Sequence, residues 1–148
     1  TDRLTIRRPD SDTEWADYYD LRWRILRAPW HQPRGSERDE FDPAAVHHCI
    51  FDKHKHVIAI GRLHFIDAQL CQIRYMAVDE DYQRQGLGTR ILLTLEAAAQ
   101  QKQCIAIQLH GRESAASFYR LHDYKTLCTS YLLYNKIQHY LMQKELQY

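Results

Sequence analysis

An α/β sandwich built on a mixed sheet is predicted for this chain by three observations. The apolar patterning alternates between strand and helix in the order β-α-(α)-β-β-β-α-β-α-β-β. Three consecutive strand-like runs are joined by turns too short for a crossover, which makes them an antiparallel meander. A glycine-rich turn then links the last of these strands to an amphipathic helix.

The elements follow in order. Leu4 to Arg8 reads as a first strand, stopped by Pro9. Ser11-Asp12-Thr13-Glu14 has the form of a capping box. The helix it opens runs to about Ala28, with Trp15, Tyr18, Leu21 and Ile25 on one buried face, and Pro29 ends it. Residues 29 to 45 form a long loop with a short helix near Pro43. The meander is His47 to Asp52, Val57 to Ile66 and Leu70 to Val78, with turns at Lys53-His54-Lys55 and Asp67-Ala68. Both alternating faces of Val57 to Ile66 are largely apolar, so this strand is central and covered on both sides. Leu87, Ile91, Leu95 and Ala98 give the next helix, Leu87 to Ala99, its buried stripe. Cys104 to Leu109 is a strand, Glu113 to His122 a helix, and Tyr124 to Leu146 two final strands. With no repeat, linker or low-complexity segment, residues 1–148 are expected to form one domain.

Composition narrows the function. The 20 Lys and Arg against 19 Asp and Glu leave a net charge of +1 with both signs intermixed, which argues against a nucleic-acid binder. No apolar run is long enough to span a membrane, and the polar N-terminus carries no signal core. Cys49, Cys71, Cys104 and Cys128 are far apart in strand-like runs; they are expected to be buried, reduced thiols of a cytoplasmic protein. Thr1 has no preceding Met, which points to a processed or trimmed chain. His47-His48 and His54-x-His56 flank a hairpin without a coherent ligand set, so no metal site is expected.

Gln83-Arg84-Gln85-Gly86-Leu87-Gly88-Thr89 is the chemical centre of the sequence. Two of the five glycines lie here, where a strand hands over to a helix. Such a turn aims free N–H groups and the positive helix end at one point, a seat for a phosphate or pyrophosphate. A Walker loop is excluded because no Gly-Lys pair occurs. The dinucleotide fingerprint is excluded because Ile91 stands where its third glycine belongs. The alternative is a plain strand-turn-helix junction with glycines for close packing.

The Q-x-x-G-x-G form resembles the acetyl-CoA signature of the GCN5-related N-acetyltransferases (GNAT). A second element, Ala115-x-x-Phe118-Tyr119 with the chain resuming at Asp123-Tyr124, resembles the A-x-x-F-Y-x-x-x-G-F element of that family. Further stretches resemble the acetyltransferase half of bacterial proteins that also carry a thioesterase-like hot-dog domain. These are residues 21–29 and 31–39, Gly61-Arg62-Leu63, residues 73–78 and residues 137–142. No such domain follows Tyr148, so a stand-alone relative or an excised half is expected.

The resemblance implies a mixed, mostly antiparallel GNAT sheet with helices on both faces, its parallel pair Leu70 to Val78 and Cys104 to Leu109 splayed apart. It implies that pantetheine pairs with the backbone of Met76, Ala77 and Val78. Gln83, Arg84, Gln85, Gly86, Leu87, Gly88 and Thr89 would hold the CoA pyrophosphate, with Arg90 adding charge, and Phe118 would flank the cofactor. Arg112 stands where the family's usual Asn lies, and it would reach a CoA phosphate or solvent. Asp123 replaces a frequent Gly, a substitution that Asp tolerates in a left-handed backbone. Tyr119 takes the general-acid position for the departing thiolate. The general base is left open among His64, His139, Asp79, Glu80 and a water chain. The Pro29 to Phe41 loop would wall the acceptor pocket.

The implied activity is direct transfer of an acetyl group from acetyl-CoA, the cosubstrate, to a small-molecule or peptide amine, with no metal. A homodimer is allowed. The rival readings are an acyltransferase acting on a carrier-protein or other thioester acceptor, and a non-catalytic acyl-CoA-binding module.

Overall fold

The computed structural model describes residues 4–148 of the chain. Strand β1 (Thr5–Arg7) is followed by helix α1 (Asp12–Leu26) and the meander β2 (Val46–Phe51), β3 (Val57–Phe65) and β4 (Leu70–Val78). Then come α2 (Leu87–Gln101), β5 (Ala106–Arg112), α3 (Ala116–Leu121), β6 (Lys125–Leu133) and β7 (Ile137–Glu145). Among the described residues seven strands form one sheet in the order β1-β2-β3-β4-β5-β7-β6, and only β4 and β5 run parallel. This is the mixed sheet expected from the patterning.

Local chemistry sets the element ends. Ser11 caps α1, its Oγ accepting from the Glu14 N–H at 3.2 Å. The Glu14 carboxylate reaches back to the Asp10 N–H rather than to the cap residue itself, and also grips Arg7 through both oxygens. α1 stops at Leu26, two residues short of the expected end. Pro29 then sits in a 3-10 turn at Ala28–Trp30, and a second such turn at Asp42–Ala44 is the short helix expected near Pro43.

Eight of the nine β3 residues are buried, as its two apolar faces require. One face packs against α2 in a core of Ile58, Leu63, Ile91, Leu92 and Leu95. The other packs against α1 through Tyr18, Leu21, Ile60 and Ala77. Gly61 makes the α2 contact possible: a Cβ there would lie 2.5 Å from Ile91 Cγ2 and 2.9 Å from Leu95 Cδ1.

The α1 side holds charge as well as apolar groups. Arg22 and Arg62 are fully buried. Both donate to the Asp42 carboxylate, Arg22 Nη1 at 2.9 Å and Arg62 Nη1 at 3.0 Å. Asp39 takes a further bond from Arg62 and one from Arg74 Nη1 at 3.0 Å. His47 joins the cluster: its Nδ1 lies 2.7 Å from the Tyr18 hydroxyl and its Nε2 2.7 Å from the Asp42 carbonyl. These contacts pin residues 37–42 of the long loop to the sheet.

Two expectations are corrected. Cys49, Cys71 and Cys104 are buried free thiols, but Cys128 is exposed. It lies on β6, an edge strand that pairs only with β7 and is solvent-exposed along almost its whole length. β5 extends to Arg112 rather than ending at Leu109, which adds His110, Gly111 and Arg112 to the strand. Among the described residues no helix is long and apolar enough to cross a membrane.

Candidate functional site: the split between β4 and β5

The parallel pairing of β4 with β5 lasts only from Leu70↔Ala106 to Ile73↔Leu109. Beyond it β4 bulges. Between the pairs Ile60↔Ala77 and Arg62↔Arg74, one residue of β3, Gly61, stands against two of β4, Tyr75 and Met76. Tyr75 takes a left-handed φ of 61° in this bulge. β4 thus stays with β3 at Ala77 and Val78 while β5 leaves to follow β7 as far as Arg112↔His139. The expected splay is present, and its physical cause is this bulge.

The split exposes backbone groups on one side of β4. The Asp79 N–H donates to Ile58 O on β3 at 2.8 Å. Strand alternation therefore turns the N–H groups of Val78 and Met76 towards the opening. A polar chain laid in the split can add to β4 as an extra strand.

At the end of β4 the glycine loop has the form its sequence requires. Gly86 caps α2 with a φ of 81°, a conformation that glycine adopts without strain. Arg84 is also left-handed, at 64°. The Gln83 side chain donates to Val78 O at 3.1 Å and ties the loop to the strand. The first bond of the helix is Arg90 N–H to Gly86 O, so the N–H groups of Leu87, Gly88 and Thr89 have no partner within the helix. No side chain caps them. Gln83, Arg84, Gln85 and Gly86 are exposed, as is Arg90.

α3 brings its aromatics to the same opening. A Cβ on Gly88 would stand 3.6 Å from the Phe118 ring and 4.0 Å from Val78 Cγ2, so loop, strand and α3 converge there. The Tyr119 hydroxyl lies 3.7 Å from Met76 Sδ and lines the cleft in the split. Burial raises the Tyr119 phenol to about 12, which keeps it as an O–H donor at neutral pH. The ring rests on β5 because residue 111 is glycine: a Cβ there would be 3.2 Å from Tyr119 Cδ2. Two residues past the end of α3, Asp123 has a φ of 72°, the left-handed turn allowed for it above.

The cleft, about 120 Å³, has a second wall made by the end of α1 and by β5, β6 and β7. Alternation fixes which residues face it. Gly111 faces Met142 and Tyr119, so its neighbours His110 and Arg112 project from the opposite face of β5, the α1 side. Arg112 Nη2 lies 3.5 Å from Leu26 O. His139 Nδ1 lies 3.0 Å from Ile137 O, which fixes it as the donor and leaves Nε2 as the acceptor. Tyr131 stacks on His139 with centroids 4.3 Å apart. Burial holds His139 below the usual imidazole range despite the bond to Ile137 O, and Arg112, His110 and Arg74 push in the same direction as burial. The ring is thus neutral at pH 7.

Of the four side chains considered for the base, the cleft gathers only His139. His64 is buried against Phe41, 4.6 Å between rings, and contacts Arg62. Asp79 caps a short turn and pairs with Arg24, which also holds the exposed Glu80. The Pro29 to Phe41 loop does not line the cleft: Leu26 and Arg27 stand there instead, and the loop contributes Asp39 behind Arg74. Sequence reasoning missed His110. The alternation Ile107-Leu109-Gly111 against Gln108-His110-Arg112 is its signal, obscured by ending the strand at Leu109. Among the described residues, no group of three or more His, Cys, Asp or Glu is placed to hold a metal.

The fold and the family are known from other proteins. The chain superposes on a putative N-acetyltransferase from Lactobacillus plantarum with a TM-score of 0.83 at 21% identity, over 97% of this chain and 99% of that one. An aminoglycoside 6'-N-acetyltransferase complexed with coenzyme A gives 0.79 at 14% identity, over 97% and 96%. The ribosomal-protein-S18-alanine N-acetyltransferase from Escherichia coli gives 0.76 at 18% identity, over 99% and 96%. At these identities the likeness is one of fold. A profile of the acetyltransferase (GNAT) family matches residues 15–124, which contain the split, the glycine loop and Tyr119. The chain belongs to this family of acyltransferases, enzymes that use acetyl-CoA.

Proposed function

We propose that this protein transfers an acetyl group from acetyl-CoA directly to an amine, with the split between β4 and β5 as the site of transfer. One observation carries the reading. A single opening is bounded by the free N–H groups of β4, by the glycine loop at the strand's end and by the Tyr119 hydroxyl.

The donor supplies a thioester carbonyl and a thiolate leaving group. The chain's residues do the rest. The N–H groups of Leu87, Gly88 and Thr89 receive the pyrophosphate, with Arg84 and Arg90 adding charge. The β4 backbone from Met76 to Val78 pairs with the pantetheine amides, beside Phe118. One of the free β4 N–H groups donates to the carbonyl oxygen as negative charge develops on it. His139, neutral and with Nε2 unprotonated, accepts the proton that the amine must lose. Tyr119 donates its O–H to the sulfur as the C–S bond breaks.

Gly86→Glu tests the assignment. The change sets a carboxylate at the pyrophosphate seat and blocks approach to the backbone. In a folded variant, calorimetry should show acetyl-CoA affinity lost; unchanged affinity would mean that the donor binds elsewhere.

A further inference from the structure

The α1 side of the cleft is unbalanced in charge. It presents Arg27, Arg74, His110, Arg112 and His139, and none of the residues lining it is Asp or Glu. Arg74 is neutralised by Asp39 from behind. Arg27 and Arg112 have no such partner. Arg27 Nε donates to Ser36 O at 3.1 Å and Nη1 to Leu26 O at 3.0 Å, and Arg112 has only the long contact to Leu26 O. Both side chains spend their bonds on carbonyls, and among the described residues no carboxylate lies within ion-pair distance of either. Two guanidinium groups converging without a counter-charge are costly unless a ligand supplies one. Burial and the nearby Arg27 charge both hold Arg112 below its ordinary value. A third group is idle: among the described residues, the buried His110 Nδ1 has no hydrogen-bond partner.

Building on the acetyl-transfer reading, we propose that the acceptor amine also carries a carboxylate or phosphate, which Arg112 and Arg27 bind on the α1 side of the split. The side of the sheet decides between two sources of that anion. Arg112 and His110 project from the face of β5 opposite to Tyr119, whereas Gly88 and Phe118, beside the donor's seat, lie on the α2 and α3 side. The anion therefore belongs to the acceptor rather than to the donor's phosphates or to a carboxylate on its acyl chain. The same cationic wall disfavours an ammonium ion, so it also helps the acceptor reach its neutral, nucleophilic form.

Malonate and inorganic phosphate serve as probes on the CoA-loaded protein. They are followed by calorimetry and by the imidazole NMR signals of His110 and His139. Wild type should bind at least one of them saturably, and Arg112→Gln should weaken this by about 10–100-fold, the loss expected for a charge-assisted bond. Arg112→Lys should recover part of it. Acetyl-CoA and succinyl-CoA are titrated in parallel and should bind Arg112→Gln as they bind wild type. The proposal is overturned if neither probe saturates in wild type, if Arg112→Gln binds them equally well, or if the variant instead loses affinity for succinyl-CoA or acetyl-CoA. Failure of wild type to bind acetyl-CoA would sink the acetyl-transfer reading. An Arg112-dependent anion site, measured then on the free protein, would survive it.

Discussion

Asp42→Asn is the sharpest probe of how this fold holds its site. The Asp42 carboxylate accepts from Arg22 Nη1, from Arg62 Nη1 and from the Asp39 N–H at 2.8 Å. Desolvation pushes its carboxyl up, yet Arg22 and these hydrogen bonds outweigh that and hold it below the usual range. The substitution keeps the shape and one acceptor oxygen but removes the charge. Arg62 retains Asp39, whereas Arg22, fully buried, loses its only carboxylate partner among the described residues. Stranding a buried charge costs about 3–5 kcal/mol, and the remaining amide acceptor places this case near 3. That is a large part of the 5–15 kcal/mol typical of a domain. With a urea slope of about 2 kcal/mol/M, the unfolding midpoint should fall by about 1.5 M. Asp39→Asn leaves both Arg22 and Arg62 the Asp42 carboxylate and should lower the midpoint by less than half as much. If Asp42→Asn shifts the midpoint by under about 0.3 M, or if Asp39→Asn costs the same, the cluster does not pin the loop.

Two further outcomes follow from the packing. Gly61→Ala drives a methyl into Ile91 and Leu95 and should destabilise by about 1–3 kcal/mol in the same assay; because Gly61 lies opposite the β4 bulge, acetyl-CoA affinity should fall with it. His47 is held neutral, its imidazole lowered to about 4 by burial and by Arg22 against the pull of the Asp42 carbonyl. A depressed histidine contributes stability above its unfolded value of about 6.5 and loses it as pH falls towards its folded value. Between pH 7 and 4.5 unfolding should therefore become easier by about 2–3 kcal/mol, and His47→Gln should flatten that slope; an unchanged slope in the variant would place the effect elsewhere.

The sequence made the scaffold legible where a single local rule governs. β4 is legible to the residue and the glycine loop from its turn chemistry, whereas the α3 aromatics stand out only through the resemblance of Ala115-x-x-Phe118-Tyr119 to a family element. What escaped depends on distant partners. Arg22 lies one turn after Tyr18 on the buried face of α1, yet an arginine reads as solvent-facing until Asp42, twenty residues on, closes around it. The Tyr75 bulge was invisible because nothing in a regular strand pattern announces a left-handed tyrosine. It is nevertheless what opens the split. Cys128 misleads in the opposite sense, since a cysteine in a strand-like run reads as buried although β6 is an exposed edge. His139 was one name among several, and only the strand register brought it to the cleft.

The central claim, that Tyr119 donates to the leaving sulfur in the split, is tested most directly by single-turnover acetyl transfer in Tyr119→Phe. The substitution keeps the ring on Gly111 and removes only the hydroxyl. Acetyl-CoA affinity should persist while the chemical step slows by about 10²–10⁴-fold, because the lost interaction develops in the transition state. A chemical step as fast as that of wild type would contradict the account and leave Tyr119 a packing residue.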